Sequence, residues 1–375
     1  MFGLKSYGRE TAVRLSWVLF VAAAVIIPLA YSGKSQNFIQ VKELVFCLFV
    51  FLLLSVMVSF REVELKKTVI LSLAIPAWMS ISAAVNGSLA VSLPAISIAL
   101  CNTALFMVVS SENFGLKQPE KILALSAVPV VVTGLFQALF PGEFAAFLVF
   151  GRRIPSTLGN PNFFGAYLAA ILPVTFVAAA KSRGCRNFFA AFGIASIVCV
   201  FLTGSKAALA GSFVGLSWVF IKFVLKRDDS KKIMVFIFCV VSAAVMAFAA
   251  IAGSAASEKG RAEWNKSQSE FFRAQTWKST LSMIIERPIF GSGPGTFSQV
   301  YPAYRSKKIA LWSTEHSYET AYPENILLQA AAELGFTGLG LFILVFAVFL
   351  RRATDYGGFM AGFLSLVCVN MAGVD

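Results

Sequence analysis

The segment EHSYETAYPEN, Glu315 to Asn325, brings a histidine, three glutamates and an asparagine together just before an apolar run resumes. It contains His316, the only histidine. A neutral imidazole near pH 7 can take a proton from an attacking hydroxyl. Glu319 follows three residues later and on a helical turn shares a face with His316, so it either orients the imidazole or competes with it as a base. Glu324 is a third candidate base, and Asn325 beside it supplies an amide. The bland alternative is a surface-loop histidine with no role. No zinc-type Cys/His spacing appears in the sequence.

Cations that could hold an anionic substrate are Arg152, Arg153, Lys206, Arg273, Arg287 and Arg305. Arginine suits phosphate because its planar fork donates two bonds at once. Lys206 lies in LTGSKAAL between two apolar runs, where a cation is costly and reads as functional. Each could instead be a side chain snorkelling to lipid phosphate. The stretch GRRIPSTLGNPNFFGAYL places Asn160 and Asn162 in a tight turn before an apolar run. Asn162 reads as a helix N-cap, or the pair reads as a rigid cavity rim beside Arg152 and Arg153, with Asn325 a third rim residue. Gly291, Gly293 and Gly295 superficially suggest a phosphate loop, but no strand precedes them and a turn is the better reading. Glu333, in an apolar run, is either inward-facing or part of a partly wet helix start rising from Pro323.

These residues have to be positioned by membrane helices. The 375 residues are 58% hydrophobic and 14% charged, with a mean hydropathy of +0.76; an ordinary soluble domain is about one-quarter charged. Apolar runs long enough to span a bilayer fall near Leu15–Tyr31, Leu44–Phe60, Thr68–Val85, Leu89–Ser110, Ile122–Phe140, Phe163–Ala180, Phe188–Thr203, Ala207–Leu225, Ile233–Ala252, Ile326–Leu350 and Gly358–Val374. The expected fold is therefore an all-α polytopic bundle of about 11–12 spans, the last apparently truncated. Its expected parts are an N-terminal bundle over 1–253, a large hydrophilic loop over 254–324 and C-terminal helices over 325–375. The net charge of +13 does not indicate nucleic acid. With the N-terminus cytoplasmic, the short inside loops hold 18 Lys and Arg against 5 outside, the positive-inside asymmetry. That orientation puts the long loop outside. Within it, Phe271, Ala274, Trp277, Leu281 and Ile284 recur at three and four residues and predict one packed or interfacial helix face, ended by Pro288. The six cysteines form no disulfide framework, and none lies in the long loop.

Four segments taken in order, STLGNPNFFGAYLAAILP, LTGSKAALAG, RAQTWKSTLSMIIERPIFGSGPGTFSQVYPAYR and PENILLQAAAELGFTGLGLF, resemble the O-antigen ligase/O-antigen polymerase superfamily of bacterial membrane glycosyltransferases. The resemblance spans roughly Arg152 to Leu350. It implies a GT-C-like helical enzyme of the bacterial inner membrane that works without metal or other cofactor, its large helical loop periplasmic. Such an enzyme moves a glycan from undecaprenyl diphosphate to lipid A-core (ligase), to a second repeat unit (polymerase) or to a protein side chain (O-oligosaccharyltransferase). By the resemblance, Arg152 or Arg153 matches the basic position before the GNPN turn, and Lys206 stands where the family often has arginine. Arg273 matches the arginine preceding the loop-helix tryptophan. His316 with Glu319, and Glu324 with Asn325, match a form of the motif found in part of the family; many members have histidine where Glu324 stands. The resemblance implies His316, Glu319 and Glu324 as catalytic candidates and Arg152, Arg153, Lys206, Arg273 and Arg305 as diphosphate contacts. A transporter or flippase of an anionic lipid is the alternative from another class; it would place its ionisable groups near the midplane on interrupted helices.

Overall fold

The computed structural model describes residues 2–30, 38–60, 66–111, 114, 118–140, 153–182, 184–225, 261–307, 309–310, 321–352 and 357–372. Among them all extended regular structure is helical. The helices are α1 (Phe2–Leu29), α2 (Phe38–Ser59), α3 (Lys67–Val85), α4 (Leu89–Ser110), α5 (Pro119–Ser126), α6 (Val128–Leu139), α7 (Pro161–Lys181), α8 (Arg186–Thr203), α9 (Lys206–Leu225), α10 (Arg261–Glu286), α11 (Ile326–Arg352) and α12 (Gly357–Ala372). Eight stretches of the described residues are long and apolar enough to cross a membrane. They coincide with eight of the runs picked out by hydropathy. The run at 207–225 forms α9, that at 358–374 forms α12, and Ile233–Ala252 lies outside the described residues. The protein is an all-α, multi-pass membrane protein. Bilayer-spanning chains take this form because a helix satisfies its backbone groups internally.

Ile122–Phe140 reads as one run but holds two helices, α5 and α6, meeting at Ala127. Pro129 has no N–H to give to the carbonyl four residues back, so the ladder breaks there.

The chain divides into two compact units, each discontinuous in sequence. The first comprises Met1–Glu64, Val108–Gly253 and Arg352–Asp375. Its centre is α7, which packs on α5, α8, α9 and α12 and is buried along most of its length. Helices α9 and α12 approach closely because α9 carries Gly211 and Gly215 four residues apart. A Cβ on Gly215 would lie 2.8 Å from the Ala361 carbonyl oxygen, and one on Gly211 2.7 Å from that of Ser365. Small residues at this spacing let membrane helices pack backbone to backbone.

The second unit comprises Leu65–Met107 and Ser254–Arg351. Its core is Met283, Ile284, Phe297, Tyr301, Ala331 and Ala332, drawn from α10, the following turn and α11. Of the two expectations for the α10 stripe, packed or interfacial, the structure does not pack most of it. Phe271, Ala274 and Leu281 are exposed, while Phe272, Thr276, Ser279, Thr280, Met283 and Ile284 are buried. The apolar periodicity was real, but most of that stripe points outward. The inward face is lined by small hydroxyl residues that bond along the helix, as Thr280 Oγ1 does to the Thr276 carbonyl at 2.8 Å.

Helix α11 is broken at Gly335, whose φ of 70° and ψ of −178° lie outside the helical region. Loop residues fill the break. Ser292 N–H donates to the Ala332 carbonyl at 3.0 Å, Gly293 N–H to the Glu333 carbonyl at 2.9 Å, and Phe336 N–H to the Pro288 carbonyl at 2.7 Å. From α3, Trp78 Nε1–H donates to the Leu334 carbonyl at 2.9 Å. Backbone groups released by a helix break must be re-satisfied inside a bilayer, and here the protein does it.

Candidate functional site

In the first unit the basic position is Arg153. Its loop is fastened to α6 by Ser156, whose N–H donates to Gln137 Oε1 at 2.8 Å and whose hydroxyl donates to the Val130 carbonyl at 2.6 Å. Ile154 N–H donates to the Leu202 carbonyl at 3.2 Å, tying the loop to the end of α8. Held this way, Arg153 Nε–H donates to the Thr203 carbonyl at 2.6 Å and its terminal nitrogen donates to Asn162 Oδ1. The guanidinium has five donors, and these contacts set its plane. Burial lowers its pKa, but arginine stays charged at any working pH. The helix cap differs from expectation. Asn160, not Asn162, caps α7: its Oδ1 accepts the Asn162 N–H at 2.7 Å, with Pro161 at the first helical position. This fits the preference for Asn at the cap and Pro just inside it. Asn162 is released to hold Arg153. Lys206 is the first residue of α9 and is exposed, after a turn at Gly204 whose φ is +63°.

In the second unit Arg273 and Glu324 meet. Arg273 Nε–H donates to Glu324 Oε2 at 3.1 Å, and both side chains are mostly buried, 20% and 17% exposed. Helix α10 supplies the arginine. One turn on, Trp277 Nε1–H donates to the Pro323 carbonyl at 2.9 Å and holds the segment before α11 in place. Glu324 sits at φ +54°, uncommon for a residue with a Cβ. Asn325 then caps α11, its Oδ1 accepting N–H groups of Leu327 at 3.0 Å and Leu328 at 3.1 Å. Burial raises the Glu324 pKa, and Arg273 opposes that rise by its charge and its hydrogen bond. A half-desolvated carboxylate of raised pKa beside a fixed guanidinium is suited to proton abstraction and to anion binding. Arg305 is half-buried and close enough to the Tyr301 phenol to act on it electrostatically; burial is nevertheless the larger influence and raises that phenol's pKa.

The group that sequence reading left undecided is Glu333, and the structure buries it. Its Oε2 accepts the Gly295 N–H at 2.9 Å and its Oε1 accepts the Phe297 N–H at 3.2 Å. The GSGPG glycines thus form a loop clasped around α11. At Gly291, φ +65°, a Cβ would come within 2.4 Å of the Glu333 carbonyl carbon, so the position requires glycine. The partners lie 36 and 38 residues upstream of Glu333, a separation that no local pattern could reveal.

His316, Glu319 and Arg152 lie outside the described residues. Among the described residues no three of His, Cys, Asp or Glu come together as a metal site would require. Residues 190–370 match the sequence profile of the family described as O-Antigen ligase. No curated protein matches the chain.

Proposed function

We propose, from the premise that residues 190–370 belong to the O-antigen ligase family, that this protein transfers a glycan from undecaprenyl diphosphate to an acceptor hydroxyl. In this reading it sits in a bacterial inner membrane, N-terminus cytoplasmic and long loop periplasmic. The acceptor oxygen attacks the anomeric carbon of the donor sugar. The bond from that carbon to the phosphate oxygen breaks, and undecaprenyl diphosphate leaves with the electron pair. A base takes the acceptor proton: His316 oriented by Glu319, or Glu324. Arginine near the leaving diphosphate stabilises its developing charge; a fixed donor of this kind contributes roughly 10²–10³-fold. Arg273 and Arg305 of the second unit are the proposed diphosphate contacts; Arg152, Arg153 and Lys206 of the first unit are proposed separately as cations available to an anionic head group. No metal is needed, because the arginines supply the charge that a divalent ion would.

The observation that carries this reading is the mostly buried Arg273–Glu324 pair at the start of α11, inside the matched region. Lipid A-core is the proposed acceptor, with ligase activity ahead of polymerase or protein glycosylation.

One observation favours the transporter reading: α11 is interrupted at Gly335 beside a buried carboxylate, as transporters arrange their ion sites. Here, however, the carbonyls of Ala332, Glu333 and Leu334 and the N–H of Phe336 are taken by protein groups. The break is a joint rather than an ion cradle, and transfer is the better reading. The test is glycan transfer by the purified protein in lipid with His316→Ala and Arg273→Ala. Loss of transfer in both supports the assignment; full activity in both defeats it.

A further inference from the structure

We infer that Glu333 is a positioning residue: its carboxylate clasps the Gly295–Phe297 loop and thereby fixes the Arg273–Glu324 pair. This deepens the transfer reading and rests on it.

A closed circuit of contacts within the second unit links this carboxylate to the pair. The Glu333 side chain is 8% exposed as a residue. It satisfies both carboxylate oxygens with backbone N–H donors, Gly295 at 2.9 Å and Phe297 at 3.2 Å. Charge-assisted bonds of this type are about twice as strong as neutral ones. From Phe297 the circuit passes to Tyr301, stacked on it with ring centroids 4.9 Å apart. Tyr301 donates its hydroxyl to Thr276 Oγ1 at 3.3 Å, reaching α10. Thr276 is one residue before Trp277, which holds the Pro323 carbonyl, and three after Arg273, which holds Glu324. Glu324 and Asn325 lead into α11, which returns to Glu333 two turns later.

The Gly335 break frees the first half of α11 from the second, so the helix ladder alone does not fix it. Backbone bonds from Ser292 and Gly293 hold one end of the loop to that half, and the Glu333 carboxylate holds the other end, Gly295 to Phe297. A neutral hydroxyl or amide could not accept two N–H bonds with both oxygens. Apolar packing around Met283, Phe297 and Ala331 would survive its loss, which separates positioning from folding.

The experiment compares wild type, Glu333→Gln and Glu333→Asp, each purified in lipid nanodiscs. Glutamine keeps the shape but presents an NH₂ to one of the two N–H donors. Aspartate keeps the charge but is one methylene short. The first readout is amide hydrogen exchange. Faster exchange at 295–301 that extends to 273–277 and 324–328 is expected in Glu333→Gln; faster exchange confined to 295–297 overturns the inference. The second is steady-state transfer. A kcat loss on the order of 10²-fold, with KM for the lipid-linked donor little changed, is expected from misplaced reacting groups. An unchanged kcat in both variants, with wild type active, overturns the inference. Inactive wild type sinks the transfer reading instead, and the exchange measurement still decides the clasp. If Glu333→Gln does not accumulate, Glu333→Asp carries both measurements, and wild-type exchange and kcat in that variant overturn the inference equally.

Discussion

Replacing Gly335 with alanine removes the backbone freedom on which the α11 joint depends. A Cβ there would lie 2.2 Å from the Ile289 carbonyl oxygen and 2.4 Å from its carbonyl carbon. Both are backbone atoms, so neither can swing aside. The φ/ψ pair of 70° and −178° belongs almost solely to glycine, and forcing another residue into it costs about 1–3 kcal/mol. Pushing the loop away also weakens the Phe336 N–H bond to the Pro288 carbonyl, at about 1 kcal/mol. The total is roughly 2–4 kcal/mol. For a unit of this size that corresponds to a fall in unfolding midpoint on the order of 10 °C. The assay is thermal unfolding in detergent followed by tryptophan fluorescence, because Trp78 reports directly on the joint through its bond to the Leu334 carbonyl. Gly340→Ala is the control. It lies in the same helix with nothing within 4 Å of its Cβ position, and alanine there gains up to about 1 kcal/mol of helix propensity. The two variants are thus expected to move in opposite directions. A Gly335→Ala midpoint equal to that of wild type refutes the account of the joint.

Other outcomes follow from the site. In the transfer reading Glu324 acts as the base when ionised; burial raises its pKa, and Arg273 opposes that rise. Activity therefore falls as pH drops through the raised value, and Arg273→Gln moves this acid limb to higher pH; a pH–rate profile whose acid limb is unmoved speaks against their coupling. Asn160→Ala should lower stability by about 1 kcal/mol through loss of the α7 cap. Asn162→Ala leaves that cap intact but frees Arg153, so it should weaken donor binding more than it lowers the midpoint, and the reverse ranking contradicts the assignment. Treatment with EDTA is expected to leave transfer unchanged. Loss of activity restored by added metal would overturn the metal-free chemistry.

Much of the fold was legible in the sequence because bilayer hydropathy is a one-dimensional signal. A run such as Leu89–Ser110 must be helical once it is inside lipid, whatever it packs against. Periodicity was less informative for α10. It located an apolar stripe through Phe271 and Leu281, but in a membrane protein an apolar stripe can face outward, and the inward face was built from Thr276, Ser279 and Thr280. The arginine of α10 and Glu324 before α11 were recognisable as chemical groups, yet their meeting 51 residues apart was not. The same holds for Glu333, whose carboxylate is met by backbone N–H groups that carry no side-chain identity for a sequence to display. The glycines of GSGPG announced an unusual backbone without saying which element it would embrace. Asn160 and Asn162 were both visible as turn residues, and only the backbone extension at Asn160 decided which one caps the helix.

The most direct measurement offers the protein, reconstituted in liposomes, an undecaprenyl-diphosphate-linked glycan together with lipid A-core, a second lipid-linked repeat unit and a protein acceptor, and follows the glycan by mass spectrometry. The account predicts a new glycosidic bond to lipid A-core with release of undecaprenyl diphosphate. An intact donor that crosses the bilayer without losing its sugar would contradict it.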